Sequence, residues 1–241
     1  MNSLIIGIPG AAWGHHHHQA IMAYARLMAK DLENQGHTVL PLPFRGHGLL
    51  ECAKQLIDPM KGCDVILTYS MTSMLAELAV GLQPNLTHKR WIGLCPVPPT
   101  GLSYRAFAWA VRSAPLPFLR AFFPPLPGVK LDMRSLERVM GGRGVANIGR
   151  GVSDLHAEPL LHCLQASFPR AFGLTDKMGD IHWDSLVVPS RDGFVCINDL
   201  RGVSAHRTLT PEGEHGFPMT PEGRALVCDL VNEIAEQRRR A

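Results

Sequence analysis

Asp64-Val65-Ile66-Leu67-Thr68-Tyr69-Ser70-Met71-Thr72-Ser73-Met74-Leu75-Ala76 joins two secondary-structure signals through one serine. Residues 65–67 are an apolar run of strand length, and Ala76, Leu78, Ala79 and Leu82 then recur at helical spacing. A strand that passes into a helix within a few residues needs a tight corner, and a serine at its apex is lifted clear of the sheet. The helix behind it aims free N–H groups and its positive dipole end at any negative charge forming beside that hydroxyl. The stretch predicts an α/β protein with Ser70 as a candidate nucleophile.

The flanking sequence repeats the strand-then-helix pattern. Leu4-Ile5-Ile6 reads as a first strand, and Gly7-Ile8-Pro9-Gly10 as a rigid turn whose backbone amides can face inward. Residues 20–35 form a helical pattern with Ile21, Ala25, Leu27, Met28 and Leu32 on one face, stopped by Gly36. Residues 37–42 are a second strand, 51–60 a short helix, 63–69 the third strand and 90–95 the fourth. Strands at 185–188 and 207–209 and an amphipathic helix at 220–237 complete the pattern. Such alternation implies crossover connections and a mostly parallel six-stranded sheet flanked by helices.

The alternation lapses between Gly101 and Phe172, where helix-like pieces surround the proline-rich apolar passage 115–127. Residues 101–172 are therefore expected to be a helical cap inserted into a core made of 1–100 and 173–241.

Composition narrows the function. An apolar fraction of 46% against 19% charged residues describes a chain that buries a core rather than a disordered one. A net charge of +3, from 24 basic and 21 acidic residues, is too balanced to specify nucleic acid or a membrane surface as partner. The Arg238-Arg239-Arg240 run is expected to complement the negative end of the last helix. The six cysteines are scattered without a C-x-x-C pair, which fits reduced thiols in a cytoplasmic protein. No basic residue precedes Arg26, so the apolar start lacks the charged region of a signal peptide.

A serine hydroxyl attacks efficiently only when a base takes its proton, and the base works best when a third group fixes its tautomer. Asp192 lies just past the fifth strand and His215 in the loop after the sixth. Loops after parallel strands open on one edge of the sheet, so these residues are expected to converge on Ser70. Asp184 and Asp199 are close enough in sequence to replace Asp192, and Arg191 is placed to tie it into an ion pair. Four consecutive histidines, His15 to His18, point in different directions on a helix and cannot gather on one ion. No metal is expected on that ground, and no nucleotide cofactor either, since neither G-x-G-x-x-G nor a phosphate-binding G-K-[ST] ending is present; no cofactor is expected.

In order and context these motifs resemble the α/β-hydrolase family over essentially the whole chain. Gly7-Ile8-Pro9-Gly10 resembles its oxyanion loop, Arg45-Gly46-His47-Gly48 its turn after the next strand, and Ser70-Met71 its nucleophile elbow. Pro96-Val97-Pro98-Pro99 resembles the exit into its cap, and Asp192 and His215 its acid and histidine. The resemblance implies that Ser70 attacks, His215 carries the proton and Asp192 orients His215. It also implies an oxyanion hole from the backbone N–H groups of Ile8 and Met71. Trp13, Tyr69, Phe107 and Phe118 are candidate walls of an apolar substrate pocket. Thr68 and Thr72 depart from the pattern, standing where the elbow usually has glycines. The compact six-strand plan is similar to the plant methylesterase and hydroxynitrile lyase branch.

The resulting expectation is a hydrolase of an ester or thioester of a small apolar, aromatic or acyl substrate, acting through an acyl-enzyme. Lyase or cyclase chemistry at the same residues, and a ligand-binding protein that reuses the pocket, stay open at this level. The expected partner is a small molecule. The sequence does not specify the oligomeric state, and a homodimer is compatible with it.

Overall fold

The computed structural model describes residues 3–11, 19–45, 48–101 and 165–240. The cap expected at 101–172 falls almost wholly outside them, as do Trp13, Phe107, Phe118, the histidine run and the Gly46-His47 pair.

Among the described residues there are six strands and four complete α-helices, alternating as far as residue 94. They are β1 (Ile5–Ala11), α1 (Gln19–Asn34), β2 (Thr38–Phe44), α2 (Leu49–Lys61), β3 (Val65–Tyr69) and α3 (Thr72–Leu82), followed by β4 (Arg90–Leu94), β5 (Ser185–Val187), β6 (Thr208–Leu209) and α4 (Pro221–Arg240). The strands form one sheet in the order β2-β1-β3-β4-β5-β6, and every neighbouring pair is parallel. The chain starts inside the sheet, moves out to β2, then crosses back over β1 to β3. Its winding reverses between β1 and β3. In open parallel sheets the crevice beyond the strand ends at such a reversal is where ligands bind.

Gly7-Ile8-Pro9-Gly10 is not the turn its composition implied. It is the second half of β1, paired with β2 as far as Ala11 opposite Phe44. The prolines of both strands fit because of strand alternation. The Thr38 N–H donates to the Leu4 carbonyl at 2.9 Å, so the N–H groups of residues 40, 42 and 44 also face β1. Pro41 and Pro43 then fall on the free edge, where a missing donor leaves no carbonyl unpaired. On the other side, the Ile5 carbonyl accepts from the Asp64 N–H at 2.7 Å, which turns residues 7 and 9 towards β3. Pro9 has no N–H to offer there. Pairing of β1 with β3 is confined to Ile6 opposite Val65 and Gly7 opposite Ile66. Beyond that point the ladder stops, at the reversal of winding.

Helix α1 buries Ala25, Met28 and Leu32 along one stripe and stops at Gly36, whose φ of +87° a side chain would resist. Leu27, expected on that stripe, lies beside it and is 41% exposed. Helix α3 is buried from Thr72 through Val80, which explains an apolar pattern that runs around the helix. At the amino edge of the sheet, Trp91 and Trp183 meet edge to face at 6.1 Å. Asp184 accepts the Trp91 N–H at 2.7 Å and pairs with Arg90 at 2.6 Å, fastening β4 to β5. Arg238 pairs with Asp64 at 2.7 Å, so one of the terminal arginines anchors α4 to the sheet. The five described cysteines are all free thiols. Among the described residues no helix is long and apolar enough to cross a membrane.

Candidate active site

The corner between β3 and α3 is built as its sequence requires. Ser70 has a φ of +52°, a left-handed conformation costing a non-glycine residue about 1–3 kcal/mol unless its surroundings impose it. Those surroundings are visible. The Ser70 N–H extends the ladder to the Leu94 carbonyl at 2.9 Å, and the Ser73 hydroxyl donates to the Ser70 carbonyl at 2.8 Å. The same Ser73 oxygen accepts the Val97 N–H at 3.0 Å.

The threonines in place of glycines are part of the corner. The Thr72 hydroxyl accepts the Tyr69 N–H at 2.8 Å and donates to the Tyr69 carbonyl at 2.9 Å, closing the turn from inside. Thr68 is buried in β3 and reaches the Ile92 carbonyl at 3.4 Å. Neither was legible as a support from the elbow pattern, which leads one to look for missing side chains. The Met71 N–H, next to Ser70, has no acceptor among the described residues and sits at the start of α3.

Asp192 and His215 reach Ser70 because the β5–β6 pairing continues past both strands. Val188 N–H donates to the Leu209 carbonyl at 2.8 Å, Ser190 N–H to Pro211 at 2.9 Å and Arg191 N–H to Gly213 at 2.9 Å. That zipper carries the two loops forward together. His215 Nδ1 then lies 2.9 Å from Asp192 Oδ2, and His215 Nε2 lies 3.0 Å from Ser70 Oγ. The side chains of His215 and Asp192 are 4% and 0% exposed, so this line of hydrogen bonds is sheltered from water.

The second Asp192 oxygen, Oδ1, accepts the Phe194 and Val195 N–H groups at 2.8 and 3.0 Å. Burial by itself pushes this carboxyl up. The attraction of His215, its hydrogen bond and the two amides outweigh burial and hold the pKa below the ordinary carboxylate value. Asp192 is thus a fixed anion against Nδ1, which selects the tautomer with Nε2 free to accept a proton. Asp184 is at the opposite edge of the sheet and Asp199 accepts its own turn's Cys196 N–H at 3.1 Å, so neither competes. Arg191 pairs with Glu212 instead of Asp192.

Of the other candidates, Tyr69 is 1% exposed and its hydroxyl donates to the His215 carbonyl at 3.2 Å. It packs behind the histidine, ring to ring at 5.4 Å. Ile8 belongs to the regular part of β1, and alternation turns its N–H towards β2, away from β3. Among the described residues, Cys95, Asp192 and His215 alone bring three potential metal ligands within 4.8 Å of one another. There the His215 and Asp192 atoms already serve each other. A cavity of about 250 Å³ lies at the far edge of the sheet, where Arg90 and Arg207 face Asp184 and Glu233. Those arginines are already paired with those carboxylates.

Neither a protein-family model nor a curated protein matches the sequence. Solved structures do match in fold. An esterase from Exiguobacterium antarcticum superposes with a TM-score of 0.60 at 11% identity, covering 98% of this chain and 93% of its own. The epoxide hydrolase VrEH1 from Vigna radiata gives 0.60 at 11% identity, covering 98% and 92%. An alpha/beta hydrolase family protein from Desulfitobacterium hafniense gives 0.57 at 14% identity, covering 97% and 96%. The chain has the α/β-hydrolase fold.

Proposed function

We propose that this α/β-hydrolase-fold chain is a cofactor-independent serine hydrolase that cleaves an ester or thioester through an acyl-enzyme on Ser70. The observation that carries the reading is the sheltered line from Asp192 Oδ2 through the His215 ring to Ser70 Oγ, with both spacings at hydrogen-bond length. His215 Nε2 takes the Ser70 proton as Oγ attacks the carbonyl carbon, and the anionic Asp192 stabilises the imidazolium that results. The proton then passes to the leaving alkoxide or thiolate, and the acyl group remains on Ser70. A water molecule, deprotonated by the same nitrogen, releases the acid.

The Met71 N–H supports the reading as an oxyanion donor, and such a donor is commonly worth about 3–4 kcal/mol in the transition state. Ile8 is the second candidate. Its use requires the end of β1 to release its partner carbonyl on β2. An apolar or aromatic acyl part would be held by side chains such as Trp13, Phe107 and Phe118. The activities named for two of the structural neighbours, an esterase and an epoxide hydrolase, support hydrolysis without choosing the bond. The elbow threonines depart from the usual hydrolase pattern and leave lyase or cyclase chemistry as the alternative. The bonds of the Thr72 hydroxyl to the Tyr69 backbone, which close the turn before Ser70, support the hydrolase reading.

Release of para-nitrophenol from esters ranging from acetate to octanoate tests the proposal. Turnover of at least one chain length is expected, falling to background in Ser70→Ala. Absence of turnover across the series, or turnover that survives Ser70→Ala, would contradict it.

A further inference from the structure

His215 is held at its backbone as well as at its ring. Its carbonyl oxygen accepts the Tyr69 hydroxyl at 3.2 Å and the Cys95 thiol at 3.4 Å. The two donors come from neighbouring strand ends: Tyr69 is the last residue of β3, directly before Ser70, and Cys95 follows β4. Both are buried, so their only use for a polar atom is internal. Plain packing would be served equally well by phenylalanine and an apolar residue of thiol size.

Cys95 is also conformationally unusual. Among the described residues only it and Ser70 combine a side chain with a positive φ, and its value is +47°. Glycine would adopt that conformation at less cost. Strained backbone of this kind persists where neighbours over-determine it, and it gathers at functional sites. Here the Cys95 N–H is tied to the Val187 carbonyl at 2.8 Å and Pro96 restricts the chain on the other side. The effect is to bring the sulfur within 4.8 Å of both an Asp192 oxygen and a His215 ring nitrogen.

We propose that Tyr69 and Cys95 form a two-donor clamp on the His215 carbonyl, and that this clamp sets the imidazole between Ser70 and Asp192. Both are positioning residues acting through His215, so the inference rests on the reading of Ser70 as nucleophile and His215 as base. The clamp ties the backbone of the base to the strand that carries the nucleophile. A displacement of β3 therefore moves both partners of the proton transfer together. Burial, and then the charge of Asp192, push the Cys95 thiol well above its ordinary pKa. The sulfur stays protonated, which makes it a hydrogen-bond donor and not a second nucleophile.

The test compares Tyr69→Phe, Cys95→Ala, their double variant and Cys95→Ser with the unaltered chain. Two readouts are taken: para-nitrophenyl ester kinetics, and the low-field proton NMR resonance of the His215 Nδ1–H that binds Asp192. Misplacing a catalytic group by about 1 Å can cost about 100-fold. The double variant is accordingly expected to lose about 10- to 100-fold in kcat with KM nearly unchanged. Its low-field resonance should broaden and move upfield. Cys95→Ser should recover most of the loss seen in Cys95→Ala, because its hydroxyl still donates.

A double variant that is folded by thermal unfolding and keeps both kcat and the resonance overturns the clamp. Equal losses in Cys95→Ser and Cys95→Ala overturn the thiol's part in it. If Cys95→Ala fails to fold, Tyr69→Phe and Cys95→Ser, which nearly preserve volume, decide. If the unaltered chain cleaves no ester, the hydrolase reading fails by itself and the resonance still decides the clamp.

Discussion

At the scale of single residues, the corner at Ser70 depends on hydroxyl groups where glycines are usual. Removing the Thr72 hydroxyl would delete both of its hydrogen bonds to the Tyr69 backbone. Each such bond is worth about 0.5–1.5 kcal/mol, so Thr72→Ala is expected to lose about 1–3 kcal/mol in urea unfolding while Thr72→Ser keeps most of it. An unchanged unfolding midpoint in Thr72→Ala would show that the hydroxyl does not hold the turn. Asp192→Asn makes a different prediction. The amide can keep the two N–H bonds at Oδ1 but presents the wrong partner to Nδ1. Loss of roughly 10³–10⁴-fold in kcat is expected with little change in fold, and kinetics together with circular dichroism check it. Ser70, Asp192 and His215 were legible in the sequence because each is a reactive type at the end of an apolar run. The supporting roles of Thr72, Tyr69 and Cys95 were not: Thr72 stood out only as a missing glycine and Tyr69 only as a pocket wall, and Tyr69 and Cys95 act on His215, far away in sequence.

At the scale of elements, the loop that carries His215 is braced against the start of α4. The Thr220 hydroxyl accepts the Gly223 N–H at 3.0 Å, and Arg224 reaches both the Met219 carbonyl and Asp31 at 2.5 Å. Gly223 lies so close to this loop that an added Cβ would stand 1.9 Å from the Phe217 carbonyl oxygen. Gly223→Ala must therefore push the loop, and overpacking of this kind costs about 1–3 kcal/mol. A lower melting temperature and a lower kcat together are expected. A variant with wild-type values of both would show that α4 does not set the position of His215. Periodicity located the helices to within a few residues, and glycine at 36 stopped α1 as its type implies. The strand ends carrying prolines misled. Pro9 read as part of a turn and Pro43 fell outside the second strand, yet they and Pro41 each occupy a ladder position that asks for no donor, which only the pairing register reveals.

For the whole molecule, two buried carboxyls give stability opposite dependences on pH. Asp192 has a folded pKa below its unfolded value. Its contribution is complete above about pH 4, the unfolded value, and disappears as pH falls through the folded one. Glu77 is the reverse. Burial on α3, and then the charge of Asp180, raise its pKa well above the usual value, and its Oε2 has no hydrogen-bond partner among the described residues. The folded chain keeps a proton that the unfolded chain releases above about pH 4, so stability falls as pH rises from there towards the folded pKa. Glu77→Gln is expected to remove that decline, flattening the urea-unfolding stability across neutral pH. A variant whose curve runs parallel to wild type would contradict the assignment. Neither behaviour was legible in the sequence, since Glu77 occupies an ordinary-looking helical position. The parallel sheet was, because strand and helix alternate along the chain. Most of the cap expected at 101–172, and the pocket residues Trp13, Phe107 and Phe118, lie outside the described residues.

The central claim is that Ser70 forms a covalent bond under the control of His215. Treatment with a fluorophosphonate, followed by intact-mass measurement and peptide mapping, tests it most directly. A single adduct on the peptide containing Ser70 is predicted, absent in Ser70→Ala and strongly slowed in His215→Gln. Ester turnover by a protein that carries no adduct at Ser70, or an adduct that persists in Ser70→Ala, would contradict the account.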